Sequence, residues 1–106
     1  MEPSGFQNFI EAQLEDIAGL KFRRMFGGFG IYADEVFFGI LHKEKLYFRT
    51  SDQTKKRYEE AGMEVFIAPG SKKALKHYYE VPLSVIEQRG ELAEWAREAV
   101  AAGFAD

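Results

Sequence analysis

The chain has 106 residues, of which 46% are hydrophobic and 15% aromatic, a size and composition that fit one domain with an ample apolar interior. It carries 14 basic and 17 acidic residues, and this net charge of −3 disfavours a dedicated nucleic-acid binder, because neutralising phosphates requires a basic excess. The absence of cysteine excludes disulfides, thiol catalysis and thiolate metal sites. We predict a single domain over residues 1–106.

The first residues show no pattern of export or membrane insertion. Glu2 stands where a secretory signal would be basic, and Gln7, Asn8 and Glu11 interrupt the apolar residues that follow. No stretch approaches the ~20 apolar residues that a membrane-spanning helix needs. We predict a cytoplasmic protein that has no membrane partner.

The first predicted element is an amphipathic helix from Gly5 to Ala18, with Gly19 as its stop. Its apolar residues recur at helical intervals, at Phe6, Phe9, Ile10, Leu14 and Ile17. The segment 22–50 then changes to a period of two. Its three apolar runs are separated by short polar connections and comprise Phe29–Tyr32, Val36–Leu41 and Lys45–Arg49. Because connections this short join antiparallel neighbours, we predict a meander of three or four strands.

A short polar helix is predicted next. The capping-box spacing of Thr50 and Gln53 opens it, and Gly62 ends it. Its only apolar residues are Tyr58 and Ala61, which places it on the surface.

The second half is predicted to contain a hairpin and a closing helix. The strands Val65–Ala68 and Lys76–Val81 flank Pro69-Gly70, which is a type II turn pair. The last helix runs from about Glu91 to Gly103, with an apolar stripe at Leu92, Trp95, Ala96, Ala99 and Val100. The fold class is therefore α+β, an antiparallel sheet of a β-meander plus a hairpin, with N-terminal and C-terminal helices packed on it.

The glycines of the segment 23–32 invite a cofactor interpretation. A dinucleotide fingerprint needs a glycine-rich turn that opens a helix, but here Ala33 replaces the last glycine and the following residues are strand-like. In a strand, Gly28, Gly30 and Tyr32 share one face, which lets another element approach the backbone closely. We predict that the first helix or a large ring fills this groove, and that no cofactor is bound.

The sequence nominates no catalytic site. Its two histidines, His42 and His77, belong to no metal template, and neither a G-x-S-x-G nor an H-E-x-x-H motif is present. We predict a protein that is not an enzyme, with no catalytic, cofactor-binding or metal-binding residue.

Basic residues do cluster, and they are the candidate contacts to a partner protein or a nucleic acid: Arg23, Arg24, Lys72, Lys73 and Lys76. Lys45, Tyr47 and Arg49 also share one strand face, an arrangement of cations around an aromatic ring that nucleic-acid binders use. The alternative interpretation is that these short basic runs are solvated surface.

The chain resembles the TfoX N-terminal domain family from about Phe6 to Ala102. The resemblance is carried by Arg24-Met25-Phe26-Gly27-Gly28, Gly30, Tyr32, Phe38, Leu46-Tyr47-Phe48-Arg49, Tyr78-Tyr79-Glu80-Val81-Pro82, Leu92, Trp95 and Ala96. The family is named after bacterial regulators of competence genes that act with a cyclic-AMP-responsive transcription factor and carry a second, helical domain, which has no counterpart in these 106 residues. The resemblance implies no catalytic residue and no cofactor.

Three functions follow as hypotheses. The favoured one is a regulatory module in transcription or competence-type control that contacts the transcription machinery or a transcription factor. The second is direct nucleic-acid binding through the basic residues. The third is a small-ligand or enzymatic role in a pocket near Gly28, Gly30 and Tyr47.

Overall fold

The protein is an antiparallel sheet with helices before, within and after it. The computed structural model describes residues 5–25, 27–70 and 74–104. In chain order the elements of these ranges are α1 (Gly5–Gln13), β1 (Leu20–Met25), β2 (Gly28–Ala33), β3 (Val36–His42), β4 (Lys45–Arg49), α2 (Lys55–Glu60), β5 (Val65–Ile67), β6 (Ala74–Glu80), α3 (Leu83–Ile86) and α4 (Arg89–Phe104). The strands lie in the order β1-β2-β3-β4-β6-β5, each antiparallel to its neighbour. The predicted α+β class is confirmed.

Tight turns connect the meander, which has four strands. Between β3 and β4, Lys43 and Glu44 have φ angles of 50° and 61°, the positive pair that a two-residue type I′ hairpin turn requires. Between β2 and β3, Asp34 has a φ of 54°. These turns fix the register of the hairpins, which shifts once, between Ile31 and Tyr32 in the β2–β3 pairing. In the regular parts of each strand, residues two apart face the same side of the sheet.

The first helix is shorter than predicted. α1 ends at Gln13 rather than Ala18, because the backbone tightens into three-residue turns, in which the Ile17 N–H donates to the Leu14 carbonyl at 2.9 Å. Leu14 and Ile17 are nevertheless buried, as their spacing predicts. The reversal is completed at the predicted stop, Gly19, which has a φ of 72°.

The start of α2 also differs from the prediction. Thr50 does not cap the helix, because its hydroxyl is buried and donates to the His77 carbonyl of β6 at 3.0 Å. The reciprocal bonds are one residue later: the Ser51 N–H donates to the Thr54 Oγ1 at 2.9 Å, and the Thr54 N–H donates to the Ser51 Oγ at 3.1 Å. α2 lies at the surface, as expected, but its Tyr58 ring is buried.

One face of the sheet is covered by helices, and we call it the helix face. Its core is contributed by both terminal helices and by the central strands, with Ile10, Leu14, Ile31, Phe38, Leu46, Phe48, Leu92, Ala96 and Ala99 among the buried residues. The predicted stripe of α4 therefore faces the core. α3 was not predicted, because a four-residue helix has no period to detect; Val85 and Ile86 are its buried residues.

The other face, which we call the ring face, carries a smaller apolar cluster. Ile40, Phe66 and Tyr78 are buried there. A Cβ atom on Gly30 would meet the side chains of Met25, Phe37 and Tyr32 at 2.6, 3.1 and 3.3 Å. A Cβ atom on Gly28 would collide with the carbonyl oxygen of Leu41. The glycine groove is therefore filled by rings and by β3, as one of the two predicted alternatives stated, and not by α1.

Candidate functional site

The predicted basic residues of β1 lie on opposite faces of the sheet. The Arg23 guanidinium lies 5.1 Å from the centre of the Tyr32 ring on the ring face. The Arg24 guanidinium lies 5.9 Å from the centre of the Phe29 ring on the helix face. Successive strand residues alternate between faces, so these two cations do not form one patch.

Among the remaining predicted basic residues, Lys76 is far from Arg23. Lys76 is on β6, four strand positions from β1, which corresponds to about 19 Å at the usual strand spacing. Lys72 and Lys73 lie outside the described residues. The structure thus does not bring Arg23 and Lys76 together, and a shared basic patch stays a prediction.

The ring face contains a row of stacked rings that crosses the strands. The ring centres of Tyr32 and Phe37 are 5.1 Å apart, and those of Phe37 and Tyr78 are also 5.1 Å apart. The Tyr78 hydroxyl donates to the Phe37 carbonyl at 3.2 Å. Burial raises the pKa of the Tyr78 phenol, and the neighbouring Arg49 partly opposes this rise. Tyr32 and Phe37 are half-buried and Tyr78 is buried, so most of the surface of these rings contributes to packing.

The lysines of the ring face are accompanied by carboxylates. Lys45 lies 3.9 Å from Glu80, and Lys21 lies 3.6 Å from Glu35. Lys45 and Tyr47 do share this face, as predicted, since Tyr47 pairs with Ile40 across β3. These two lysines are therefore balanced locally, which weakens the attraction of this face for a polyanion.

The histidines occupy ordinary structural positions. The His42 ring meets the edge of the Phe66 ring, with centres 5.5 Å apart, and His77 is exposed while its carbonyl accepts from Thr50. In the described part of the chain, no group of three or more histidines and carboxylates is placed to hold a metal ion. No helix within those ranges is both long and apolar enough to cross a bilayer.

A groove of about 510 Å³ lies where the segment 16–18, which follows α1, meets the β2–β3 turn and the last turns of α4. We call it the terminal groove. Its apolar lining comprises Ile17, Ala18, Ala33, Val36, Val100 and Phe104. The Phe104 side chain is 78% exposed, the largest exposed fraction among the exposed large hydrophobic residues of the described ranges. An apolar depression beside an exposed aromatic ring is typical of a contact surface.

The rim of the terminal groove is polar and mostly acidic, with three carboxylates (Asp16, Asp34, Glu35) and one guanidinium (Arg97). Two of the carboxylates also meet cations outside the groove, Asp16 with Arg89 at 3.2 Å and Glu35 with Lys21 at 3.6 Å. Exposed ion pairs of this kind contribute about 0–1 kcal/mol each, so a charged partner can replace them.

No local sequence pattern predicts this groove, because its lining comes from three distant segments, 16–18, 33–36 and 97–104. One signal was available. Phe104 stands four residues after Val100 and so extends the apolar stripe of α4 by one turn, past the predicted helix end at Gly103.

Comparison with known proteins gives a family. The family model described as the TfoX N-terminal domain matches residues 12–103. This range includes every strand of the sheet and all lining residues of the terminal groove except Phe104. Among curated proteins, no match is found. Since the family match covers nearly the whole chain, the chain belongs to the TfoX N-terminal domain family.

Proposed function

We propose that this domain is a regulatory binding module without catalytic activity of its own, and that it contacts a partner protein through the terminal groove. The observation that carries the proposal is the 78% exposure of Phe104 beside an apolar depression. A large ring left in water contributes little to folding, whereas burial against a partner would remove its apolar surface from water. An apolar centre within a polar rim is also the usual anatomy of a protein interface.

The rim defines the chemistry of the partner. Three carboxylates and one guanidinium line the groove, and the whole chain carries a net charge of −3. A complementary partner presents apolar side chains flanked by lysine or arginine. Proteins that act on DNA carry such residues, because phosphate neutralisation provides much of their affinity. A DNA-binding transcription factor therefore suits the groove, and this agrees with the competence-type control that the family resemblance implies.

Direct nucleic-acid binding is the alternative, and it is less favoured. Arg23 and Arg24 face opposite sides of the sheet, and Lys76 is four strand positions away. The alternative predicts binding that falls steeply with salt. A gel-shift series in low salt, with the charge-reversed variant Arg23→Glu as control, checks it; tight binding lost in that variant would replace our proposal.

Site-specific photo-crosslinking in the native cell tests the proposal. A benzophenone amino acid is placed at Phe104 in one strain and at Leu83 in another, because Leu83 is 62% exposed and lies outside the groove lining. We expect a DNA-binding protein among the adducts at Phe104 that is missing at Leu83. The same adducts at both positions would overturn the proposal.

Purified components then give the energetic test. Phe104→Asp places a further carboxylate on an acidic, apolar surface, so we expect the affinity for the cross-linked protein to fall at least tenfold. The matched variant Leu83→Asp makes the same chemical change elsewhere and should leave the affinity unchanged. Equal affinities of the two variants would contradict a role of the terminal groove.

A further inference from the structure

β1 is an edge strand of the sheet. Within the ranges that the structure describes, β1 pairs with β2 alone. The Asp34 N–H donates to the Gly19 carbonyl at 2.9 Å, which makes these two residues a hydrogen-bonded pair of the ladder. Such pairs alternate along antiparallel strands. The main-chain groups of Leu20, Phe22 and Arg24 therefore point away from β2, and the edge offers three donors and three acceptors.

The side chains of this edge differ between the two faces of the sheet. On the helix face, Leu20 and Phe22 are half-buried and pack against the main core. On the ring face, Lys21 and Arg23 are exposed. Lys21 is 3.6 Å from Glu35 in a pair whose side chains are 47% and 87% exposed, so that another carboxylate can compete for the cation.

We propose that β1 binds an extended segment of a partner protein in which apolar and acidic residues alternate, and that this segment adds to the sheet as a further strand. Its carboxylates would stand opposite Lys21 and Arg23, in the close non-hydrogen-bonded pairs of the new ladder. Its apolar residues would lie beside Leu20 and Phe22 and complete their burial. The main-chain bonds provide affinity, and the alternating side chains provide specificity.

The charges argue against a second copy of this chain at the same edge. In an antiparallel pairing of β1 with itself, every register that engages at least two of the outward residues Leu20, Phe22 and Arg24 opposes two cations on the ring face: Lys21 with Lys21, Lys21 with Arg23, or Arg23 with Arg23. Like charges directly opposite each other destabilise a sheet. The edge therefore rejects its own copy and accepts an acidic strand, which is how cationic edges limit self-association.

Binding of a capped, fluorescein-labelled peptide of alternating valine and glutamate tests the proposal by fluorescence anisotropy. Arg24→Pro removes an outward N–H, while the bonds from β1 to β2 remain, because Arg24 is not in a hydrogen-bonded pair with β2. Arg24→Ala removes the same side chain but keeps the N–H. We expect the proline variant to bind at least tenfold more weakly than the alanine variant. Equal binding by the two variants would overturn the proposal.

Charge reversal keeps the proposal testable even if the proline variant folds poorly. The double variant Lys21→Glu/Arg23→Glu should invert the preference, so that a valine–lysine peptide binds better than the valine–glutamate peptide, whereas Arg23→Glu alone should only remove the preference. In the unaltered protein, amide hydrogen exchange followed by NMR should slow at Leu20, Phe22 and Arg24 when the valine–glutamate peptide is added. Slower exchange at other strands instead, or equal binding of both peptides by the unaltered protein, would contradict the edge proposal.

The edge and the terminal groove are tested separately. Phe104→Asp lies in the groove lining and not on β1, so it should leave binding of the valine–glutamate peptide unchanged. A loss of peptide binding in this variant would place the peptide in the groove and would overturn the edge proposal. Loss of the groove partner with intact peptide binding would support two independent surfaces.

Discussion

The guanidinium carbon of Arg57 lies 3.9 Å from the centre of the Trp95 ring, so that a stacked cation fastens α2 to α4. The same guanidinium donates to Glu98, and the edge of the Trp95 ring meets Tyr58, with ring centres 4.8 Å apart. α2 has few apolar residues, and these contacts explain why a short polar helix is nevertheless held against the domain.

Replacing Arg57 with lysine should lower the free energy of unfolding by about 1 kcal/mol, since lysine keeps the charge but cannot lie flat on the indole. Urea denaturation followed by circular dichroism measures the change. Lys56→Ala, on the exposed side of the same helix, is the matched control and should stay within about 0.5 kcal/mol of the unaltered protein. Equal effects of the two variants would rule out a specific role for the stacked pair.

Two glycines should respond to alanine with opposite signs. Gly28→Ala directs a methyl group at the Leu41 carbonyl of β3, which is backbone and cannot move aside, so we expect a loss of about 1–3 kcal/mol. Gly90 lies in the first turn of α4 with no atom within 4 Å of the added methyl, so Gly90→Ala should be neutral or stabilise by up to about 1 kcal/mol. Thermal unfolding of both variants checks the contrast. A tolerated Gly28→Ala would mean that β2 and β3 are less closely paired than they are here.

Alkaline pH should unfold the protein partly through Tyr58. Burial raises the pKa of this phenol far above its usual value of 10.0, although Arg57 opposes the rise. The folded state thus holds the phenol proton more tightly than the unfolded chain does. This contribution is complete below about pH 10 and is lost as the pH rises beyond it. The urea midpoint should therefore fall above about pH 10, and Tyr58→Phe should make that fall shallower; the same slope in both proteins would contradict this.

The two apolar residues at the end of α4 should separate stability from binding. Phe104→Ser should change the free energy of unfolding by less than about 0.5 kcal/mol, because the ring is 78% exposed. Val100→Ser should cost about 1–3 kcal/mol, since this side chain packs against the main core. Chemical denaturation compares them. A large loss of stability for Phe104→Ser would assign the ring to folding and remove its main significance for partner binding.

The meander was predictable because its signals are local. Alternating apolar residues and connections of three residues dictate antiparallel neighbours without reference to the rest of the chain. The same logic predicted that Gly28, Gly30 and Tyr32 share a face, which the register confirms. The predicted end of α1 at Ala18 was wrong, because the apolar spacing continues through three-residue turns and cannot distinguish them from a helix.

The arrangement of surfaces was not predictable from the same signals. Whether Arg23 lies near Lys76 depends on the strand order, and no local pattern states that β6, rather than β5, pairs with β4. The terminal groove depends on packing between segments about 15 and 60 residues apart, so only Phe104, in step with Val100, hinted at it. Tertiary contacts, rather than local propensities, decide which side chains become neighbours.

The pairing of β4 with β6 has a practical consequence. Three residue pairs form this ladder, and the N–H groups of Thr50 and Val81 extend it with bonds to His77 and Leu46 at 2.6 and 2.7 Å. Gly62 is exposed between α2 and β5, in the stretch of chain that connects β4 to β6. Cutting the chain at Gly62 would produce two fragments that can pair through β4 and β6. The C-terminal fragment would also carry α4, which covers the sheet of the N-terminal fragment. Such a pair suits a split reporter, whose recovery in living cells would signal the proximity of whatever is fused to each half.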